Sequence, residues 1–223
     1  MTGVVITGVG AVFPGEDGAA RLPLMRLRGI RRLPEAARLG CLAAAEALAS
    51  AGGIVASEAA GVLVGTNRAA EGPIADFVAD AKSAGIRLVN PALFPDTVMN
   101  AVAGHIAIRF GLKGPTATFS AAEQVDFDAF ESALDLLRTG RLIQAVVCGV
   151  EAEQGCGTVV LQCRDSAPRR PLAALEVLRR IPVPQDPWSA LEAWGITDAD
   201  DIICPGGSRP LRGAHCREDP LVL

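Results

Sequence analysis

Apolar residues in this chain fall into short unbroken runs and into longer stretches spaced by three and four, and the two kinds alternate. Val4 to Gly10 is a continuous apolar run closed by glycine, the pattern of a buried parallel strand entering a loop. Pro34 opens a helix whose alanine-rich face (Ala36, Leu39, Cys41, Leu42, Ala45, Leu48) runs to a stop at Gly52 and Gly53. Gly61 to Thr66 reads as a second buried strand. Pro73 starts a helix through Ile74, Phe77, Val78 and Lys82. Pro91 and Pro95 bracket a loop, and Asp96 or Thr97 caps a helix over Val98 to Phe110 that ends at Gly111. Thr116 to Ser120 is a central strand. A turn of small residues follows it, then an amphipathic helix from about Val125 to Arg138. Ala145 to Val150 and Gly157 to Cys163 are further buried strands.

This alternation predicts an α/β fold, a parallel sheet covered by helices. It fills residues 1–165, which read as one domain. Residues 166–223 read differently. Pro171 to Arg180 fits strand or helix, Pro182, Pro184 and Pro187 form a rigid linker, Ser189 to Gly195 is a short helix and Asp201 to Cys204 a last short strand. The residues from Arg209 onward mix Pro, Gly and charge and read as loosely ordered.

Composition narrows the function classes. Half of the 223 residues are hydrophobic but only 4% are aromatic, with no Tyr, so the core is expected to pack small side chains closely. A net charge of −4 gives no reason to expect nucleic acid as a partner. No run of 18 apolar residues predicts a membrane span, and the N-terminus lacks the basic region and cleavage site of a signal peptide, so a cytoplasmic location is expected. The six cysteines show no C-x-x-C pair and no metal spacing, so buried reduced thiols are expected, with no metal and no cofactor. Arg21, Arg26, Arg28, Arg31 and Arg32 form a small basic cluster, read as a solvated loop.

The stretch from Gly114 to Asp128, G-P-T-A-T-F-S-A-A-E-Q-V-D-F-D, carries the chemical question. A strand-to-helix turn holds a side chain at a helix N-terminus, whose N–H groups stabilise negative charge. Here the turn presents Glu123 and Gln124, with no Cys or Ser at its tip. By themselves these residues fit a polar helix cap or a partner-facing role equally, and a catalytic carboxylate less well, since no His or metal-ligand set accompanies them. His105 reads as structural, on a helix face that meets core or partner.

Several motifs, in order, resemble the N-terminal half of β-ketoacyl synthases, the condensing enzymes of fatty acid and polyketide synthesis. They are V-V-I-T-G-V-G-A-V-F-P at 4–14, G-V-L-V-G-T at 61–66, T-V-M-N at 97–100, A-G-H-I-A-I-R-F-G-L-K-G-P at 103–115 and C-G-V-E-A at 148–152. The resemblance implies a thiolase-like α/β fold. In that fold two related halves stack, and subunits pair along the strand before the nucleophile turn. This chain is expected to hold largely the N-terminal half, with a shortened C-terminal half.

Such synthases use a Cys at the turn as acyl carrier and two His residues that promote decarboxylation and stabilise the oxyanion. This chain departs at each point. The Cys position falls on Glu123. The segment 190–211 is similar to the approach to the family's H-G-T-G-T motif, and its His position falls on Pro205. The second His has no counterpart, so no catalytic residue is expected.

The run E-Q-V-D-F-D-A at 123–129 is similar to chain-length factors, the inactive partners of ketosynthases in type II polyketide synthases, and most similar to those of highly reducing, polyene-making systems. The resemblance implies a heterodimer with a full-length ketosynthase, with the acyl carrier protein reached through that complex. It implies strand pairing through Thr116, Ala117, Thr118, Phe119 and Ser120. It also implies a tunnel gated by Phe77, with Pro73, Ile74 and Met99 next. A half-size fold is further expected to expose a long apolar surface where a second half would pack. The other readings are a decarboxylase or priming enzyme with an altered site, and a structural scaffold.

Overall fold

A computed structural model describes residues 3–15, 29–120, 125–167, 171–175, 202–203 and 221–222. Its centre is a six-stranded sheet in the order β3-β2-β4-β5-β1-β6. The strands are β1 (Val4–Val12), β2 (Ala60–Gly65), β3 (Thr116–Phe119), β4 (Gln144–Glu151), β5 (Gly155–Cys163) and β6 (Ala173–Leu175). A separate antiparallel pair joins β7 (Ile202–Ile203) to β8 (Leu221–Val222).

The sheet is mixed, with fewer parallel pairings than the parallel-rich sheet expected. β3, β2 and β4 pair in parallel, whereas β4–β5, β5–β1 and β1–β6 are antiparallel. The physical reason is the turn at 152–154: it is too short for a crossover, so β5 folds straight back on β4 as a hairpin. β1 is buried along most of its length, but between antiparallel neighbours. The stretch read as a central strand, Thr116 to Ser120, supplies β3, which lies at the edge of the sheet.

Of the four helices among the described residues, α1 (Glu35–Ala51), α2 (Glu71–Ala84), α3 (Ala101–Phe110) and α4 (Val125–Arg138), all but α2 cover the sheet. α1 and α3 pack on one face, where Leu42, Leu48 and Ile106 meet Val62, Val146 and Val160. Among the described helices only α4 packs on the other, setting Phe130, Leu134 and Leu137 against Leu63, Ala145 and Leu161. The alanine face of α1 permits an unusually close approach to β1. A methyl group on Gly8 would lie 2.1 Å from the Ala47 carbonyl oxygen, and one on Gly10 would lie 2.3 Å from that of Ala43. Side chains of any size would hold these backbones apart.

α3 starts at Ala101, later than its apolar spacing suggests, and neither expected cap serves it. Thr97 Oγ1 donates back to the Phe94 carbonyl at 2.7 Å, and the Asp96 carboxylate contacts His105 Nε2 at 2.6 Å. Pro91–Asp96, read as a loop, forms a 3-10 helix. The far side of α4 carries Glu131, Asp135 and Arg138 in solvent, with Asp128 partly exposed. The expected long apolar surface is therefore not found on this helix. Of the segments placed by sequence in 166–223, the short helix at 189–195 and the proline linker lie outside the described residues, as do Arg21, Arg26 and Arg28 of the basic cluster. Arg31 and Arg32 are exposed on the 3-10 helix Ile30–Arg32.

Candidate functional site

The strand-to-helix turn is framed on both sides by described residues. Glu123 and Gln124 themselves lie outside them, as does Pro205. β3 delivers the chain to Ser120, and α4 begins at Val125. The first turn of α4 rests on the ends of two strands that lack side chains there. A methyl group on Gly65 would lie 2.6 Å from the Val125 carbonyl oxygen, and one on Gly149 would lie within 2.7 Å of both carboxylate oxygens of Asp126. Asp126 and Asp128 place acid in the first turn of α4, the favourable end of a helix dipole for negative charge.

Beside the turn, Glu151 at the end of β4 acts as a latch on the loop after β2. Its carboxylate accepts from the backbone N–H groups of Asn67 and Arg68, the second at 3.0 Å, and from Thr66 Oγ1 at 3.3 Å. Thr66 Oγ1 in turn accepts from the Ala69 N–H at 3.2 Å, and Ser120 Oγ donates to Asn67 Oδ1 at 3.4 Å. Arg68 pairs with Glu71 at 2.8 Å and with Glu153 at 3.5 Å. Both Arg68 ionisation and Glu71 ionisation are favoured chiefly by their mutual hydrogen bond, although both side chains are solvent-exposed. Glu151 belongs to the C-G-V-E-A motif, so its presence was legible in the sequence. Its partners lie more than eighty residues earlier and were not.

No described thiol reaches this turn. Cys148 and Cys156 lie in the core layer beneath α1, on the opposite side of the sheet from α4, with Cys41 on α1 itself. Burial pushes the Cys41 thiol up to about 11 despite the neighbouring Arg109 guanidinium, and pushes that of Cys156 well above its ordinary value. Such thiols pack as small apolar groups. His105 stands on α3 and is held by Asp96, away from the turn.

The strand candidates fall together at an open edge. β3 pairs with β2 from Thr116 opposite Val62 to Phe119 opposite Gly65, and among the described residues its other edge has no strand beside it. Thr116 is exposed and Ala117, Thr118 and Phe119 are partly so, with Phe119 packed against the α4 core. Ser120 lies just past the strand.

The gate candidates gather on an arm formed by α2 and the 3-10 helix. α2 buries no residue at all. Asp80 ties the arm together by accepting from the Asn90 N–H at 2.6 Å. Phe77 is half-buried, and its ring meets that of Phe94 edge-on at 6.0 Å. Phe94 is 59% exposed, and the spacing argument missed it because it sits in a proline-rich stretch without periodicity. Ile74 and Val78 face solvent, Pro73 is partly covered in the first turn of α2, and Met99 is partly covered just before α3. Val98 and Ile108 extend the exposed apolar set toward α3.

This architecture matches known proteins. The family model of the β-ketoacyl synthase N-terminal domain matches residues 19–167. A chloroplastic 3-oxoacyl-[acyl-carrier-protein] synthase I from Hordeum vulgare is 32% identical over 130 residues, which are 55% of this chain and 28% of that protein. The chain thus aligns with well under half the length of that curated relative. Among solved structures, the ishigamide ketosynthase/chain length factor superposes with a TM-score of 0.67 at 23% identity, covering 86% of this chain and 71% of that one. A type II polyketide synthase acyl-carrier protein in complex with its hexaketide-bound ketosynthase, AntDE:AntF, gives 0.63 at 19% identity, covering 75% and 64%. A β-ketoacyl synthase from Burkholderia phymatum gives 0.61 at 17% identity, covering 75% and 60%. The fold is thiolase-like and corresponds to the N-terminal half of these proteins. With a family match over most of its length, motifs in the family's order and the same fold, this chain belongs to the β-ketoacyl synthase family through its N-terminal domain.

Proposed function

We propose that this chain is a chain-length factor: a non-catalytic, ketosynthase-like subunit that pairs with a full-length ketosynthase in the cytoplasm and shapes the tunnel into which a polyene-type polyketide grows. Two observations carry the reading: among the described residues β3 has an open edge, and α2 buries no residue while Ile74, Val78 and Phe94 stand exposed. An unpaired strand edge and a set of exposed apolar side chains both call for a protein partner. The likeness in fold to a ketosynthase/chain length factor supports the choice of partner.

In this reading Glu123 and Gln124 fill the place of the acylated thiol, Pro205 stands where a catalytic His would, and residues 166–223 are a reduced remnant of the second half. Thr116 to Ser120 pair with the equivalent strand of the ketosynthase. Phe77 gates the tunnel from α2, braced by Phe94, with Pro73, Ile74 and Met99 along the wall. The carrier protein delivers substrate to the ketosynthase partner, whose Cys performs the condensation.

Co-expression with a type II ketosynthase tests this. A stable one-to-one complex on size-exclusion chromatography is expected. Thr118→Pro, which places a ring on the pairing strand, is expected to abolish it, and Phe77→Ala to lengthen the products. A well-folded chain that ignores ketosynthases would overturn the reading.

A further inference from the structure

Cys148 on β4 and Cys156 on β5 form a pair that the proposed function does not use. Their sulfurs lie 3.2 Å apart, and both side chains are fully buried. The strands are antiparallel, with Cys148 opposite Thr158 and Cys156 opposite Val150, so the cysteines are diagonal neighbours across the hairpin. The sheet already holds them in register. At 3.2 Å the sulfurs are already within reach of a bond of about 2.05 Å. Thr158 Oγ1 lies 3.6 Å from Cys156 Sγ, and Cys148 Sγ would lie 3.8 Å from a methyl group on Gly40 in α1.

We propose that Cys148 and Cys156 are a latent disulfide, closed by hydrogen peroxide or a similar small two-electron oxidant, which staples β4 to β5 beside Glu151. In the first step one thiolate sulfur attacks a peroxide oxygen. The O–O bond breaks, the leaving hydroxide takes up the proton that the first thiol released and departs as water, and a sulfenic acid remains. In the second step the other sulfur attacks the sulfenic sulfur. The S–O bond breaks, and the hydroxide leaves as water with the second thiol proton. Two thiols and one peroxide give one disulfide and two waters. Burial keeps the Cys156 thiolate scarce, and oxidant reaches the buried sulfurs when the hairpin opens transiently. The staple stabilises the strand end whose carboxylate holds the N–H groups of Asn67 and Arg68. Oxidation therefore also tightens the loop beside the strand-to-helix turn.

The test is a non-reducing peptide map of the full chain after incubation with hydrogen peroxide. Cleavage after Glu151 and Glu153 separates the two cysteines. The expected product keeps the Cys148 and Cys156 fragments joined, two hydrogens lighter than their sum. It melts at a higher temperature than the reduced protein, and dithiothreitol reverses both effects. Cys163→Ala should leave the product unchanged, and Cys156→Ala should remove it. Cys148→Ala serves the same purpose if Cys156→Ala does not fold. Pairing of Cys148 with Cys41 or Cys163 overturns the proposal. So do sulfinic or sulfonic products without the linked fragment, and native thiols that react only in urea.

Discussion

The carboxylate of Asp126 lies directly over Gly149, so close that a methyl group there would be 2.6 Å from one of its oxygens and 2.7 Å from the other. With Gly65, which would meet the same carboxylate oxygen at 2.6 Å, it forms a seat without side chains for the start of α4. The position of the strand-to-helix turn depends on this seat.

Gly149→Ala is expected to lift the first turn of α4 and cost about 1–3 kcal/mol, the usual range for overpacking a tight site. Urea denaturation of the purified chain measures it. Asp126→Ala in the same chain should recover part of the loss, since it removes the atoms that the methyl group strikes. An unchanged denaturation midpoint for Gly149→Ala would mean that the seat is looser than these distances state.

Gly8→Ala tests the contact between α1 and β1. The added methyl meets the Ala47 carbonyl oxygen, the Ala51 amide nitrogen at 2.7 Å and the Ala51 side chain at 2.9 Å. Two of these are backbone atoms that no side-chain rotation can move. The expected loss is roughly 3 kcal/mol or more, at the upper end for small-to-large changes. Gly72→Ala, with open space around the added methyl, is the matched control and should be near neutral.

Gln162 is a case where a polar residue weakens the core. It is fully buried on β5, and neither its Oε1 nor its Nε2 has a hydrogen-bond partner among the described residues. Its strand neighbour Gln144 is equally buried, but it accepts from the Val55 N–H at 3.1 Å and donates to the Gly53 carbonyl at 3.0 Å. Gln162→Leu should therefore stabilise the protein by about 1–2 kcal/mol, and Gln144→Leu should destabilise it by a similar amount. Thermal unfolding of the two variants side by side distinguishes them.

Stability should fall in alkali through the buried thiols. Burial raises the Cys41 thiol from 9.0 to about 11, so the folded protein keeps a proton that the unfolded chain gives up. Below pH 9 both states hold the proton and stability is unaffected. As pH rises from 9 toward 11 the unfolded state is favoured, at up to about 1.4 kcal/mol per pH unit for one group. Cys156 acts in the same direction. Cys41→Ala should flatten the fall across this window in denaturation at a series of pH values. An identical slope in the variant would remove Cys41 as a cause.

Much of the fold follows from local pattern. The helix Val125–Arg138 begins and ends where its spacing and Gly140 place it, because apolar periodicity and a glycine stop act over a few residues. The buried runs became β1, β2, β4 and β5 for the same reason. Strand direction did not follow, since an apolar run looks the same beside a parallel or an antiparallel neighbour. The three-residue turn at 152–154 decided it, by bringing β5 back along β4. Helix caps at Asp96 and Thr97 failed because His105 and the Phe94 carbonyl compete for those side chains.

The sequence by itself determined the family, the element series and the residue identities at the turn, Glu123 and Gln124. These are matters of residue type and spacing along the chain. Only the tertiary structure decided that, among the described residues, β3 is an edge strand, α2 covers nothing, and the far face of α4 is charged and open to solvent. It alone brought Glu151 to Asn67 and Cys148 to Cys156. Periodicity states which face of an element is apolar. Whether anything lies against that face depends on contacts between residues far apart in the chain.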